Sequence, residues 1–543
     1  MRLKSVPLKT VSLPWPQFSF RFPTFRLSTL GLYIIGLLVA ALMLLTPLYL
    51  VMRTAGSGTA ALDILVKAST IQALGRTISL SLAVTVASAL VAVPLAWLTV
   101  CTDLPGRKMW AAAAALPLVL PSYVAAFLFV STFGPKGLVQ QWLFPLTGIE
   151  RLPEIYGFSG AFIVLTLMSY PFTLLSVRAA LQRLDPALIE AARSLGLSPW
   201  QAFWRVTLPH LRPALVAGSL LVSLYVLRDF GAVTLLRYTT FTRLIYQQYQ
   251  SFSDRSLAAA LSLVLILLTA LVVWLDVRTR GQAQYTRRSV GTARQARPIP
   301  LGWWRWPALA FVSLIILLGL VLPATGLIYW LVRGLTQGEA LVSLWSASIH
   351  SVLVSLAAAV LTVAAALPVA ILAVRKNTRV SHSIERIAYT GYALPGLVIA
   401  LALVFFGAQY ARPLYQTLPM LLAAYLILFI PQAIGTVRTS LLQLPRSLEE
   451  AGRSLGYSST GVFHRITLPL VQPGVLAGGA LVFLTCMKEL PTTLLLSPTG
   501  YNTLATTVWS AISEVFFARA AAPALLLILL SSVPLAILTL REK

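Results

Sequence analysis

Two pairs of ionisable residues lie inside apolar stretches of this sequence, where charged groups are rare. Arg228-Asp229 and Lys488-Glu489 are separated by 260 positions. An ionisable side chain costs at least about 2.5 kcal/mol at the centre of a bilayer, so such residues are expected to be functional. Neighbouring helical residues point about 100° apart, and each base should therefore pair with another helix. Two interpretations follow: a buried pair that fixes helix packing, or an ionisable ring that lines a substrate path near an outer gate.

Other residue types that could do chemistry are sparse. The sequence has no GxxxxGK(S/T), HExxH, CxxC or nucleophile-elbow pattern. Its four histidines lack ligand spacing, and Cys101 and Cys486 suggest neither a disulfide framework nor a metal site. We therefore predict no catalytic residue, no metal site and no cofactor bound by this chain.

A polar segment of 24 residues occurs twice. Glu190 to Pro213 reads EAARSLGLSPWQAFWRVTLPHLRP, and Glu450 to Pro473 reads EAGRSLGYSSTGVFHRITLPLVQP, with 13 of the 24 positions identical. We call these the first and second repeated loops. Both stand between long apolar runs, so each indicates a part of a membrane protein that another molecule contacts from outside the membrane.

Within each copy the pattern predicts a tight turn and then a short helix. Gly196 and Gly456 supply the turn. In the first copy, Ser198 reads as an N-cap and Pro199 as the first helical residue.

The short helix should expose an apolar knob. Trp200, Phe203 and Val206 share one of its faces, Leu208-Pro209 is predicted to end it, and Pro213 to open the next span. The knob could rest on lipid headgroups or dock to a cytoplasmic protein. The duplication of the Glu, Gly and Leu-Pro positions favours docking, because lipid contact alone would not require it.

The elements around these residues are those of a membrane protein. The chain is 58% hydrophobic and 11% charged, with a mean hydropathy of +0.82. A bilayer core about 30 Å thick needs about 20 apolar residues per helix. Twelve runs qualify: 29–52, 76–100, 109–132, 159–177, 213–235, 256–275, 306–332, 349–374, 387–409, 418–436, 473–492 and 521–540. We predict an all-α integral membrane protein with about 12 transmembrane helices, or ten or eleven if the runs interrupted by proline or a charge do not all span.

The positions of the basic residues predict the topology. With the N-terminus inside, the inner segments hold 29 Lys and Arg and the outer loops 11. By the positive-inside rule, this excess explains the net charge of +26 and argues against a nucleic-acid partner. Both termini are therefore predicted to be cytoplasmic. The basic segment 278–305 is expected to be a cytoplasmic linker, and the aromatic, basic residues 1–28 to lie along the inner membrane surface.

The repeat extends beyond the loops and divides the chain into halves. Matched pairs are Pro94 with Pro368 and Pro121 with Pro395, at an offset of 274, and Pro171 with Pro431 and Arg178 with Arg438, at an offset of 260. We predict a first half at 29–277 with its loop at 190–213, and a second half at 306–543 with its loop at 450–473. Six spans in each half give both the same orientation, related by an axis along the membrane normal.

The spacing in both loops resembles the EAA loop of permease subunits of ATP-binding-cassette importers. The matching residues are Glu190, Ala191, Gly196, Val206, Leu208 and Pro209 in the first copy, and Glu450, Ala451, Gly456, Ile466, Leu468 and Pro469 in the second. We add Phe203 and Phe463, on the short helix of each loop, to the candidate coupling residues. One departure is Gly452, where the pattern has a second Ala. In that family the loop is a coupling helix that docks on the ATPase subunit, and the resemblance implies this role for these residues.

The resemblance covers nearly the whole chain. The chain is similar to fused ferric-iron importer permeases through residues 227–250, 487–509 and 516–527. This resemblance implies the type I permease fold in a bacterial inner membrane and an extracytoplasmic binding protein. It also implies two copies of a separate ATPase subunit that carry ATP and Mg²⁺. Thiamine and sulfate or molybdate permeases share much of the pattern and remain alternatives for the substrate. An ion-coupled secondary transporter is a further alternative, but it would not need the duplicated loop.

Overall fold

The computed structural model describes residues 29–251, 257–280, 298–339, 344–376 and 378–541. The predicted N-terminal segment 1–28 and most of the predicted linker lie outside these ranges. Apart from an isolated parallel bridge between Thr102 and Ile299, the described residues contain no β-structure. The all-α prediction is confirmed.

The α-helices of the first half follow one another with short breaks. They are α1 (Thr29–Ala55), α2 (Thr59–Val66), α3 (Ala68–Cys101), α4 (Arg107–Ala113), α5 (Ser122–Phe133), α6 (Leu138–Thr147), α7 (Phe158–Arg183), α8 (Pro186–Ser194), α9 (Pro199–Ala202), α10 (Leu208–Arg228), α11 (Gly231–Leu235), α12 (Phe241–Gln250) and α13 (Leu257–Arg280).

The second half repeats this order. Its helices are α14 (Arg305–Ile316), α15 (Leu322–Thr336), α16 (Leu344–Ile371), α17 (Arg379–Tyr389), α18 (Gly396–Tyr410), α19 (Leu418–Gln443), α20 (Arg446–Ser454), α21 (Ser459–Val462), α22 (Leu468–Met487), α23 (Pro491–Leu496), α24 (Leu504–Ser513) and α25 (Phe517–Arg541).

The chain is a multi-pass membrane protein. Among the described residues, ten helical stretches are long and apolar enough to span a bilayer, and a bent pair can be counted as an eleventh. The bent pair, 379–393 with 396–410, contains the predicted run 387–409. The predicted run 521–540 falls in α25, whose described apolar part, Phe517–Val533, is shorter than the other spans. Nine of the twelve predicted runs therefore lie for most of their length in one helix long enough to span, whereas 109–132 and 387–409 are broken and the described part of 521–540 is short.

The third predicted span of each half is interrupted at its matched proline. In the first half a 3₁₀ turn, Leu116–Val119, precedes Pro121, whose ψ of 142° is extended. In the second half a 3₁₀ turn, Thr390–Ala393, precedes Pro395, whose ψ is 143°. Because proline disfavours the helical conformation of the residue before it, both spans break there. Each break leaves backbone carbonyl groups without a helical partner, and one of these accepts a bond from the other half, as described below.

The first span of each half packs against the other half. In α1, Leu32, Val39 and Met43 belong to an apolar cluster with α16, α18 and α19, and the Tyr33 hydroxyl lies 3.0 Å from the Thr378 hydroxyl. Reciprocally, Val312 of α14 packs among first-half residues. The two halves are therefore joined by exchanged helices as well as by their facing surfaces.

Close helix packing supports the repeated loops. The spans α7 and α10 approach so closely at Gly218 that a Cβ atom there would lie 2.6 Å from the Thr173 Cα. In the second half, a Cβ at Gly478 would lie 2.5 Å from the Thr436 hydroxyl oxygen. Small residues at such crossings let transmembrane helices pack by van der Waals contact. The span that follows each loop is therefore held tightly against the span that precedes it.

Candidate functional site

The repeated loops each form a short helix, a tight turn and a second helix that continues into the membrane. The short helices are α8 and α20, and they contain Glu190 and Glu450. The turns use Gly196 and Gly456, at φ of +88° and +85°, where a side chain would be strained. The predicted turn is confirmed in both copies.

The helix after each turn begins with the predicted cap. The Ser198 hydroxyl accepts a bond from the Gln201 N–H, and the Gln201 side chain accepts one from the Ser198 N–H. In the second copy the Ser458 hydroxyl accepts a bond from the Gly461 N–H at 3.2 Å. These reciprocal and single caps satisfy backbone donors that a helix start leaves free.

The predicted helix end at Leu208-Pro209 is wrong. The chain passes through a π-helical segment, Phe203–Thr207, directly into α10, and Pro213 lies inside that helix. The second copy does the same through Phe463–Thr467 into α22. A proline ring collides with the carbonyl group four residues earlier, and the wider turn relieves this contact. Each Leu-Pro therefore marks a bulge at the membrane entry of one long helix.

The predicted apolar knob of the first loop is confirmed only at Trp200, which is 68% exposed. Phe203 and Val206 are half-buried, and the Phe203 ring contacts the Trp97 ring of α3, with centroids 6.2 Å apart. Leu208 and Leu468 are half-buried as well, as is Phe463. These residues hold the second helix against the span instead of presenting a free face.

Further exposed apolar residues lie earlier in each loop. Leu195 and Leu455, directly before the turn glycines, are 84% and 79% exposed, and Leu188 and Leu448 are 42% and 45% exposed. These leucines were not among the predicted docking residues, although both copies have Leu at both positions. Together with the exposed Glu190, Ala191, Glu450 and Ala451, they form a matched polar and apolar surface in each half.

The basic residues inside the membrane reach across to the other half. The Lys488 ammonium group donates to the Leu118 carbonyl oxygen at 2.7 Å. Leu118 belongs to the 3₁₀ turn in the broken third span of the first half. Arg228 lies close enough to Glu489 and Tyr392 of the second half to interact with them electrostatically. For Lys488, the prediction that the base pairs with another segment instead of its adjacent acid is confirmed.

The acidic residues cap short helices. The Asp229 carboxylate accepts bonds from the Ala232 and Val233 N–H groups, at 3.0 and 3.2 Å, at the start of α11. The Glu489 carboxylate accepts bonds from the Thr492 N–H and hydroxyl, at 3.4 and 2.8 Å, at the start of α23. The positive end of a helix stabilises an acid in this position.

A second helix start meets each acid. Beside Asp229, the start of α11 meets the start of α5 so closely that a Cβ on Gly231 would lie 2.7 Å from the Tyr123 Cβ. At the corresponding place in the second half, a Cβ on Gly396 would lie 2.5 Å from the Glu489 carboxylate oxygen. Each acid therefore stands where the broken span and the short helix of its own half converge. Caps of this kind favour the structural interpretation of the acids, and the bases connect the halves.

A cavity of about 460 Å³ lies between α15, α24 and α25. Because successive spans alternate in direction, this cavity is on the face opposite the repeated loops. Its walls include the ion pair of Glu339 and Arg519, whose atoms are 2.7 Å apart, and the side chains of Asn502, Thr506 and Glu514. Among the described residues, no group of three or more His, Cys, Asp and Glu is placed to hold a metal ion. The cavity offers hydrogen-bonding and charged groups to a protein or solute instead.

Known proteins are similar to this chain either along nearly all of it or along one part of it. The model of the family described as "Binding-protein-dependent transport system inner membrane component" matches twice, at 105–280 and 363–543. The Fe(3+)-transport system permease protein FbpB 2 of Haemophilus influenzae is 36% identical over 496 residues, which cover 90% of this chain and 94% of that protein. The sulfate transport system permease protein CysW of Synechocystis is 33% identical over 37% of this chain. The molybdenum transport system permease protein ModB of Escherichia coli is 34% identical over 25% of it. The chain therefore belongs to the family of inner membrane components of binding-protein-dependent transport systems.

Proposed function

We propose that this chain is the membrane-spanning permease of an ATP-driven importer that moves ferric iron into the cytoplasm. The observation that carries the proposal is the 36% identity to a ferric-iron permease along 90% of the chain, through both halves and both repeated loops. The sulfate and molybdenum permeases match smaller parts of it.

The repeated loops are the proposed docking sites for two copies of an ATPase subunit, one per half. Each presents an exposed Glu and two exposed Leu residues on a short helix with a rigid glycine turn. ATP and Mg²⁺ belong to that subunit, and this chain is a transport component without a site for ATP hydrolysis or a cofactor. The basic residues near the loops support a cytoplasmic location for them and for both termini.

An extracytoplasmic binding protein is the proposed partner on the opposite face. The loops after α11 and α23 and the cavity between α15, α24 and α25 provide hydroxyl, amide and carboxylate groups for its docking. Because the binding protein would bring the iron ligands, the permease itself needs no metal site.

The substrate is tested with the permease reconstituted in vesicles with its ATPase and its binding protein. We expect Fe³⁺ bound to the binding protein to stimulate ATP hydrolysis and uptake, and sulfate, molybdate and thiamine to have no effect. Stimulation by sulfate or molybdate alone would replace iron with an oxyanion as substrate. Uptake that followed an ion gradient without ATP would contradict the importer proposal itself.

A further inference from the structure

The two short helices of the repeated loops are held to the membrane spans in different ways. In the second half, Glu449 is buried although it lies beside the exposed Glu450. The Glu449 carboxylate receives the Arg375 guanidinium at 3.1 Å and the Thr467 hydroxyl at 3.1 Å. Arg375 lies in a π-helical segment, Leu372–Lys376, after α16, and Thr467 lies in the π-helical segment before α22. One carboxylate thus connects α20 to two membrane spans.

Two more bonds strengthen this connection. The Arg375 guanidinium also donates to the Leu444 carbonyl oxygen at 3.1 Å, just before α20. Arg446, the first residue of α20, donates to the Val374 carbonyl oxygen at 3.0 Å. The start and the middle of α20 are therefore both fastened to the end of the same span.

The first half lacks these groups. At the repeat offset of 274, the position of Arg375 is occupied by Cys101 in the first half. At the offset of 260, the positions of Glu449 and Arg446 are occupied by Ile189 and Pro186. Of the network, only the threonine has a counterpart, Thr207. In the α8 region, side-chain hydrogen bonds join near neighbours: the Ala187 N–H donates to the Asp185 carboxylate, and the Ser194 hydroxyl donates to the Ala191 carbonyl oxygen.

We propose that the two repeated loops are unequal docking sites, and that Arg375, Glu449 and Thr467 are positioning residues that hold the second one in its docking conformation before a partner arrives. A binding surface that is already ordered loses less conformational entropy on association, so it binds more tightly. The ATPase subunit therefore engages the second loop first, and the first loop is ordered in the complex. This inference rests on the proposed docking of an ATPase subunit.

The order of the two helices can be measured without any partner. In the permease alone, in nanodiscs, we expect amide hydrogens of 446–454 to exchange at least about tenfold more slowly than those of 186–194, because a fastened helix opens less often. Replacing Arg375→Cys together with Glu449→Ile installs the residues of the first half and removes both charges. This double variant should raise the exchange of α20 to the level of α8.

Two further variants control for misfolding and for nonspecific charge effects. Thr467→Val keeps the ion pair and removes one hydrogen bond, and it should raise the exchange of α20 by about threefold. Arg151→Met with Glu154→Gln removes an exposed ion pair on the opposite face, and it should leave both helices unchanged. Equal exchange of α8 and α20 in the unaltered chain, or an unchanged α20 in the double variant, would overturn the positioning role.

The preference of the ATPase subunit for the second loop is tested by measuring its binding affinity. Glu190→Lys and Glu450→Lys each damage one loop, and titration with the purified ATPase subunit should show about tenfold weaker binding for Glu450→Lys than for Glu190→Lys. When the same two substitutions are made in the Arg375→Cys, Glu449→Ile variant, they should reduce the affinity for the ATPase subunit equally. Equal losses in the unaltered background would overturn the preference. If neither substitution changes binding while the exchange difference persists, the ATPase docking proposal fails and the positioning role stands.

Discussion

A contact between the two helices of each repeated loop offers a sharp test of how the loops keep their shape. In the second loop, a Cβ added at Gly452 would lie 2.5 Å from the Ile466 Cδ1 atom. In the first loop the same two positions hold Ala192 and Val206, so one copy has its extra methyl group on the short helix and the other on the π-helical segment. Gly452, which departs from the family pattern, is thus smaller than Ala192, and its partner Ile466 is larger than Val206.

The expected energies follow from this geometry. Carbon atoms are optimally about 3.5–4.0 Å apart, so Gly452→Ala forces Ile466 to move and costs about 1–3 kcal/mol. Replacing Gly by Ala in a helix regains about 1 kcal/mol. Ile466→Val alone leaves a small void and costs about 0.5–1.5 kcal/mol. Together the two changes recreate the packing of the first loop, and we expect a favourable coupling energy of about 2 kcal/mol between them.

The assay is the free energy of local opening of α20, measured by hydrogen exchange for the single and double variants, alongside ATPase stimulation in the assembled transporter. The single variants should open more readily, and Gly452→Ala with Ile466→Val should return to the original value. The reverse exchange, Ala192→Gly with Val206→Ile in the first loop, is the matched control and should also be neutral. If the effects of the two single changes simply add, the two positions are not in contact and the reasoning is refuted.

Three other predictions concern the membrane region. Lys488→Met with Glu489→Gln should still assemble with the ATPase, because an amide oxygen can cap α23. It should transport several-fold more slowly, because the bond between the halves is lost; full transport would show that transport does not depend on this bond or on these charges. Gly218→Leu should prevent stable insertion of the first half, since its side chain would collide with the Thr173 backbone, and a normal yield of folded protein would contradict this close packing. A cysteine placed in 281–300 should be protected from an impermeant thiol reagent applied outside, whereas one placed near Tyr246 should react; the opposite pattern would invert the topology.

The sequence predicted the parts of this fold that depend on local pattern. Apolar run length located the spans, and the glycines of the repeated loops located turns with positive φ. The internal repeat also located the docking candidates, because a duplicated polar segment stands out against an apolar background.

The remaining features depend on contacts between residues that are far apart in the sequence, and a local sequence pattern does not identify such contacts. Lys488 binds a backbone carbonyl group of the other half, and any residue type could supply such an acceptor. The Leu-Pro prediction was wrong because proline is tolerated near a helix start, and only the wider π turn, a feature of the backbone, lets the helix continue through it. Glu449 was overlooked because it stands next to the more conspicuous Glu450 of the motif, and its burial depends on Arg375, which lies 74 positions earlier.

The exchanged first spans have a consequence for how this protein is made. The Tyr33 hydroxyl contacts a residue 345 positions later in the chain. At a synthesis rate of about 5–20 residues per second, α1 is in the membrane for roughly 20 to 70 s before that neighbour exists. Tyr49 and Leu50 of α1 have first-half neighbours, but during this interval the part of α1 that packs on the second half meets only lipid or first-half helices, and quality-control proteases would encounter that part unprotected. A ribosome pause between the halves would lengthen this exposure, whereas co-expression of the second half as a separate chain would shorten it.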